Sequence, residues 1–180
     1  MRATVAAGVV SLLIVGSAAA QPAAPAGEQF TVLNLVFTVI DLGGKFLDLQ
    51  VKQTETEVRI ELAADVLFDF DKDTLKPVAQ ETLQKAAAVI REQTKGAIRI
   101  NGHTDAKGDD NYNLKLSQRR AAAVKNWFAQ QGKLSGRRMD TLGFGKQKPV
   151  ASNTKPDGSD DAEGRQKNRR VEVIVGKHAK

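Results

Sequence analysis

Two neighbouring segments of the chain carry the side chains best suited to ligand binding. The first, Gly102-His103-Thr104-Asp105, ends a predicted strand, and the second, Asn113–Ala121, begins a predicted helix and includes Arg120. In open α/β sheets, ligands lie beyond the carboxyl ends of strands, where loops meet helix starts. The Asp105 carboxylate and the Arg120 guanidinium would form a fixed dipole, complementary to an ammonium and a carboxylate on one carbon. From spacing alone, a plain Asp105–Arg120 salt bridge explains the pattern equally well.

Other motif-like segments do not support a catalytic or metal site. Residues Asp69–Asp73 imitate the start of a calcium loop, but Thr74 and Gln80 stand where that loop needs Gly and Glu. These carboxylates are typical of a strand end followed by helix capping. The two histidines, His103 and His178, lack zinc-ligand spacing, and His103 is expected to pack where its strand ends. We therefore predict no catalytic residue, metal or cofactor.

Hydrophobic periodicity indicates the elements that position these side chains. The predicted elements are a strand at 56–70, a helix from Pro77 to Gly96, a strand at 97–103, a helix at 113–131, a strand at 139–144, a polar connection at 145–164 and a strand at 171–175. The second helix is expected to bury a stripe of Leu114, Ser117, Ala121, Val124 and Phe128. This β-α-β-α-β-β order predicts an α/β (α+β) two-layer sandwich with helices on a mixed sheet. A polar connection of that length is more often functional than idle.

The first 55 residues divide into three predicted parts that precede a main domain at 56–177. Residues 1–20 combine a basic start, an apolar run and Ala18-Ala19-Ala20, as in a cleaved signal peptide. An uncleaved anchor is disfavoured because the run is short for a bilayer. Residues 21–29 form a Pro/Ala-rich flexible tail, and no Cys offers a site for lipid attachment. Residues 30–55 are β-rich, and their Phe30–Gln50 part either packs on the main domain or mediates self-association.

Composition excludes several protein classes and leaves one alternative partner to weigh. Among 180 residues, 27 are Lys or Arg, 21 are Asp or Glu, none is Cys, and the net charge is +6. The absence of Cys excludes a disulfide-stapled miniprotein and a Cys-ligated metal site. The basic charge suggests nucleic acid, but export and the few aromatic residues argue against it, because base stacking needs exposed rings. An anionic cell wall explains the basic charge equally well.

From about residue 64 to 175, the chain resembles the OmpA-like peptidoglycan-binding family. Five ordered blocks carry the resemblance: Val66–Asp71, Ile100–Asp105, Asn113–Ala121, Gly143–Gly145 with Lys148-Pro149, and Asn168–Glu172. The resemblance implies an OmpA-like fold and non-catalytic binding of peptidoglycan through the diaminopimelate of its stem peptide. It also implies a protein that links the cell wall to the envelope from the periplasm, and it leaves attachment to the outer membrane open. A cell-wall-remodelling enzyme remains the alternative, although no credible nucleophile is present.

The resemblance also assigns a role to individual residues. Asp105 would bind the diaminopimelate ammonium, and Arg120 would clamp its carboxylate through two parallel hydrogen bonds. Further hydrogen bonds are implied for Thr104, Asn113 and Arg169, and a contribution mainly through the backbone for Asp69. In the empty site, Asp105 and Arg120 are expected to pair weakly and to exchange partners when the ligand binds.

Overall fold

The computed structural model describes residues 49–178 of the chain. The predicted leader at 1–20, the tail at 21–29 and most of the β-rich segment, residues 30–48, lie outside the described residues and stay predictions. The described elements, in chain order, are β1 (Leu49–Gln53), β2 (Glu57–Ala63), α1 (Ala64–Leu67), α2 (Ala79–Gln93), β3 (Ile98–Gly102), α3 (Asp110–Gln130), β4 (Met139–Gly143), α4 (Ala162–Asn168) and β5 (Arg170–Gly176).

These strands form one five-stranded mixed sheet in the order β1-β2-β5-β3-β4. The pairs β1–β2, β2–β5 and β3–β5 are antiparallel, and β3–β4 is parallel. The register across the centre aligns Val173 of β5 with Ile60 of β2 and Ile100 of β3. The predicted mixed sheet with helices is thereby confirmed.

One face of the sheet is covered by α2 and α3 and forms the core. Alternation along each strand supplies this face, as the period of two requires. The buried strand residues include Val58, Ile60, Leu62, Ile98, Ile100, Val171, Val173 and Val175, and the helices contribute Leu83, Ala86, Ile90, Val124 and Phe128. The alternate residues, among them Arg59, Arg99, Asn101 and Glu172, lie on the other face of the sheet, called the uncovered face below.

The predicted strand at 56–70 is too long. It ends at Ala63, and residues 64–67 make a helical turn in which the Phe68 amide donates to the Ala64 carbonyl at 2.8 Å. Leu67 and Phe68 are both buried. Because neighbouring residues of a strand point to opposite faces, a turn is needed to bury both on one side.

The structure also moves the start of the main sheet. The predicted boundary at residue 56 separates β1 from the domain, whereas β1 pairs with β2 from Leu49 opposite Leu62 to Gln53 opposite Val58. Leu49 and Val51 are buried in the core. The end of the predicted β-rich segment is therefore the edge strand of the main sheet.

Two helices differ from the sequence prediction. The α3 helix starts three residues earlier than expected, at Asp110, because the Asp109 carboxylate accepts the amides of Asn111 and Tyr112 and caps it. Leu114 was wrongly placed on its buried stripe: it is 40% exposed, and Leu116 is buried instead. The other four stripe residues are fully buried. The α4 helix was missed because it is short and polar.

None of the helices within residues 49–178 is both long and apolar enough to cross a lipid bilayer.

Candidate functional site

Glycines at the ends of β3 and β4 allow α3 to pack directly against the strand ends. A Cβ on Gly102 would lie 2.0 Å from the Ser117 carbonyl oxygen, and one on Gly143 would lie 2.6 Å from the Gln118 amide nitrogen. The Ser117 hydroxyl donates to the Leu114 carbonyl at 2.8 Å and accepts from the Gly145 amide at 2.9 Å. These contacts hold the first half of α3 beside the loop that follows β3.

Asp105 lies on that loop and accepts several hydrogen bonds. It is 9% exposed. Its Oδ1 accepts from the Lys107 amide at 3.0 Å. Its Oδ2 accepts from Arg169 Nη1 at 2.8 Å and from Arg165 Nη1 at 3.4 Å. The carboxylate is therefore held in a fixed orientation at the carboxyl end of β3.

Arg169 joins two carboxylates. Its Nε and Nη2 donate to the two Asp65 oxygens at 2.9 and 2.7 Å, while Nη1 reaches Asp105. The hydrogen bond and negative charge of Asp65 raise the pKa of Arg169 further above its ordinary value, although burial opposes this. Arg165 is bound in a similar way by Asp160, at 2.8 and 2.7 Å. The side of the site formed by α1 and α4 is thus a network of paired charges.

Arg120 is the exception to this pairing. It is 6% exposed, and its Nε donates to the Lys72 carbonyl at 2.8 Å. The guanidinium carbon lies 5.2 Å from the centre of the Phe68 ring. Within residues 49–178, Arg120 forms no ion pair, and neither Nη atom has an acceptor. Burial lowers the pKa of Arg120, while the negative charges of Asp65, Asp71 and Asp73 act in the opposite direction.

The other predicted site residues take different positions. Thr104 and Asn113 are buried, and their side chains bind the loop itself: Thr104 Oγ1 donates to the Asp105 carbonyl at 3.0 Å, and Asn113 Nδ2 donates to the Lys107 carbonyl at 2.7 Å. Asp69 is exposed, with Lys72 Nζ at 3.9 Å from its carboxylate. The Asp69 carbonyl accepts from the Lys72 amide, which closes a turn. The Lys72 carbonyl of the same turn accepts from Arg120 Nε.

The expected pairing of Asp105 with Arg120 is wrong. Asp105 and Arg120 do not pair with each other, because Asp105 is bound to arginines 165 and 169 and Arg120 to a backbone carbonyl. Both side chains are buried. Sequence reasoning also missed Asp65 and Arg165. Two signals in the sequence could have indicated them. Asp65 is a charged residue that interrupts the apolar run 64–68, and Arg165 is four positions before Arg169, which is the spacing of neighbours on one helix face.

The predicted polar connection at 145–164 also contacts the loop that carries Asp105. Asn153 Oδ1 accepts from the Ala106 amide at 3.1 Å and from Asn168 Nδ2 at 3.1 Å, which ties the connection to the loop of Asp105. The site therefore offers a buried cation with open donors and a buried carboxylate fixed by its neighbours. A ligand carrying both charges would complement this pair.

Comparison with known proteins gives a family match and similar chains. Residues 67–163 match the OmpA family. The peptidoglycan-associated lipoprotein of Agrobacterium fabrum is 34% identical over 123 residues, 68% of this chain and 66% of that protein. The solved structure of the cell wall anchor of the T6SS from Pseudomonas aeruginosa superposes with a TM-score of 0.63 at 29% identity, covering 73% of this chain and 89% of that one.

A longer match extends beyond this domain. The photosystem I P700 chlorophyll a apoprotein A2 of Gloeobacter violaceus is 39% identical over 165 residues, 92% of this chain but 18% of that protein. An alignment of that length includes the segment 30–48. The chain thus spans about a fifth of the length of that protein and 66% of the length of the Agrobacterium lipoprotein.

Proposed function

The chain belongs to the OmpA family, and we propose that its domain binds peptidoglycan non-covalently by holding the diaminopimelate of the stem peptide. A peptidoglycan-associated lipoprotein and a cell wall anchor are among the proteins similar to it, which supports a partner in the cell wall. The proposed role is that of an exported periplasmic binding protein, without catalysis, that connects the wall to other envelope components.

The unpaired guanidinium of Arg120 is the observation that carries the proposal. A buried charge is costly unless it is paired and hydrogen-bonded. Only Nε of Arg120 is bound, to the Lys72 carbonyl, so both Nη atoms remain available as donors. A guanidinium presents two parallel N–H groups that match the two oxygens of a carboxylate. Contact with the Phe68 ring restricts the direction in which these donors point.

Asp105 is suited to the ammonium of the same ligand. An ionised carboxylate offers about four acceptor positions. Three of these are used, by the Lys107 amide, Arg165 and Arg169. The open position lies on Oδ1, which carries a single hydrogen bond. An ammonium can therefore be added without breaking the Asp105–Arg169 contact, so no exchange of partners is required.

This arrangement selects diaminopimelate over lysine in the third position of the stem peptide. Both residues carry a terminal ammonium, but only diaminopimelate carries a carboxylate on the same carbon. With lysine, Arg120 would stay buried without a counter-ion. Losing one partner of a buried charge pair costs on the order of 2–5 kcal/mol, which is roughly thirtyfold or more in affinity.

The test is sedimentation of the mature chain with purified cell walls of two types. We expect binding to diaminopimelate-containing walls, competition by free meso-diaminopimelate, and at least thirtyfold weaker binding to lysine-containing walls. Free lysine is the matched competitor that lacks the second carboxylate. Equal binding to both walls would contradict the diaminopimelate assignment. A parallel turbidity assay would reveal hydrolysis, and loss of turbidity would favour the enzyme alternative.

A further inference from the structure

The uncovered face of the sheet contains a cavity of about 400 Å³ that is separate from the proposed peptidoglycan site. Asn101, His103 and Glu172 lie at its floor, at the centre of the sheet, where Asn101 pairs in register with Glu172. Neither Asp105 nor Arg120 is among the lining residues. A ligand in this cavity would therefore touch a different set of side chains.

The floor of the cavity holds buried polar atoms that lack partners. Asn101 is 8% exposed and His103 is 1% exposed. Within the described residues, Asn101 Oδ1 and both ring nitrogens of His103 have no hydrogen-bond partner. The nearest carboxylate oxygen to His103 Nε2 is Glu172 Oε2 at 3.6 Å, which is too long for a hydrogen bond. Buried polar groups are nearly always bonded, so these atoms point to a bound group that supplies the missing contacts.

The rim of the cavity is basic. Arg170 Nη2 donates to Glu172 Oε1 at 2.6 Å, so the two opposite charges of this buried pair cancel. The other charged residues of the lining are Arg59, Arg99 and Lys148. Arg59 Nη2 donates to Glu57 Oε1 at 3.3 Å, and Arg59 Nη1 lies 3.8 Å from Glu172 Oε2. Arg99 Nη2 lies 3.8 Å from Glu57 Oε2, the same carboxylate that binds Arg59, and the Arg99 side chain is 59% exposed. The four positive charges of Arg59, Arg99, Lys148 and Arg170 therefore exceed the two negative charges of Glu57 and Glu172.

The loop after β4 adds an aromatic wall. The ring of Phe144 stacks on His103 with centroids 5.3 Å apart, and Lys148 Nζ lies 3.9 Å from the centre of the Phe144 ring. The ammonium of Lys148 is thereby held over the cavity wall. Leu142 and Ile174 add apolar surface for the body of a ligand.

We propose that this cavity binds a small hydroxylated oxyanion, a carboxylate or a phosphate ester, with its charge at Arg59 and Arg99 and its hydroxyl groups toward Asn101 and His103. The orientation follows from charge, because the Glu172 carboxylate at the floor repels an anionic group and accepts from hydroxyls. Guanidinium groups bind the oxygens of carboxylates and phosphates through paired hydrogen bonds. The volume suits a ligand of sugar-acid size.

The test is a nitrogen-15 NMR titration of the mature chain with glucuronate and with glycerol 3-phosphate. Glucose is the neutral comparator, and sodium chloride keeps the ionic strength constant. We expect saturable shifts at the side-chain amide of Asn101 and in residues 99–103 and 144–148, with no shift at Asn113. A preference for glucuronate assigns the carboxylate class, and a preference for glycerol 3-phosphate assigns the phosphate ester class.

Two variants and a control test the assigned contacts. We expect Arg99→Gln to weaken binding about tenfold, the size of one lost charge-assisted contact. Asn101→Leu should abolish the shifts, and circular dichroism checks that it folds. Lys95→Gln removes one exposed positive charge outside the cavity and should bind as the wild type does. The proposal is overturned by absent saturation at millimolar ligand, by shifts confined to the loop of Asp105, or by equal losses in Arg99→Gln and Lys95→Gln.

Discussion

Arg120 tests the proposed function most directly because its side chain is buried, hydrogen-bonded at one edge and open at the other. We expect Arg120→Ala to reduce peptidoglycan sedimentation by thirtyfold or more, from the loss of about 2–5 kcal/mol. Arg120→Lys should also be damaging, since an ammonium cannot make two parallel hydrogen bonds.

The control for this change is Arg138→Ala, which removes an arginine whose side chain is 79% exposed and bound only to Asp140. Both variants should keep the far-ultraviolet circular dichroism spectrum of the wild type. Sedimentation of folded Arg120→Ala at the wild-type level would place the binding site elsewhere.

The ionisation of Glu172 makes the free energy of unfolding of the domain depend on pH in the acid range. Burial alone would raise the pKa of Glu172, but the His103 ring, whose Nε2 lies 3.6 Å from Oε2, and the two hydrogen bonds from Arg170 lower it to about 2, from 4.5 for an unperturbed group. Because the folded-state pKa is the lower one, Glu172 contributes stability above pH 4.5 that is lost as the pH falls toward 2. Between these pH values, the wild type should lose about 3 kcal/mol relative to Glu172→Gln.

Urea unfolding of both proteins at several acid pH values measures this difference. The relevant quantity is the change with pH in the gap between the two free energies of unfolding, since the substitution itself also removes the ionic partner of Arg170. Parallel curves for the two proteins would mean that Glu172 does not titrate in this range.

The contact between α3 and the strand ends is the element-level feature on which the site depends. Gly102→Ala would place a methyl group 2.0 Å from the Ser117 carbonyl oxygen, which is backbone and cannot rotate away. We expect a loss of stability of at least about 1–3 kcal/mol, typical of overpacking, together with weaker peptidoglycan binding as α3 shifts. Thermal unfolding and wall sedimentation measure the two effects.

Gly136→Ala is the matched control, because a Cβ at Gly136 meets no atom within 4 Å. It should leave both stability and binding close to wild type. If Gly102→Ala behaved in the same way, the close packing at the end of β3 would not be what positions Arg120.

Periodicity predicted the elements whose residues divide cleanly between core and solvent. The strands around Ile60, Ile100 and Val173 and the stripe through Ala121 and Phe128 were predictable because burial there follows a regular period. Leu67 and Phe68 break that period, and the short α4 helix buries little, so both regions were misread.

The sequence predicts where Asp105 and Arg120 lie in the fold but not which groups their side chains contact. The order of motifs along the chain indicates Asp105 and Arg120 as candidate ligand-binding residues. The predicted elements place Asp105 after the end of β3 and Arg120 on α3, as the structure does. Their partners depend on contacts between residues far apart in sequence, such as Asp65 with Arg169, separated by 104 positions. A local sequence pattern cannot predict an ion pair between residues so far apart in the chain.

For the molecule as a whole, the question is how much chain the domain needs. Because β1 belongs to the sheet, we expect deletion of residues 21–47 to leave peptidoglycan binding largely intact, whereas deletion of 21–55 removes β1. The longer deletion uncovers the edge of β2 and the core beneath Leu49 and Val51, and unpaired edges promote aggregation.

Size-exclusion chromatography and wall sedimentation distinguish the two deletions. The shorter deletion removes most of the Phe30–Gln50 segment and so also tests whether that segment mediates self-association, since the elution volume would then change while binding persists. Loss of binding in a folded protein lacking only 21–47 would show that the segment takes part in recognition.

The central strand of the sheet, β5, is also the last strand along the chain: Gly176 pairs with Glu57, and Val175 with Ile98. A polypeptide that emerges amino end first, from a ribosome or a translocation channel, can form only the β1–β2 hairpin and the β3–β4 pair before residue 170 arrives. Such fragments are marginal in isolation, and pairing across more than a hundred residues is slow. The sheet can therefore close only when residues 170–176 have emerged and β5 inserts between β2 and β3.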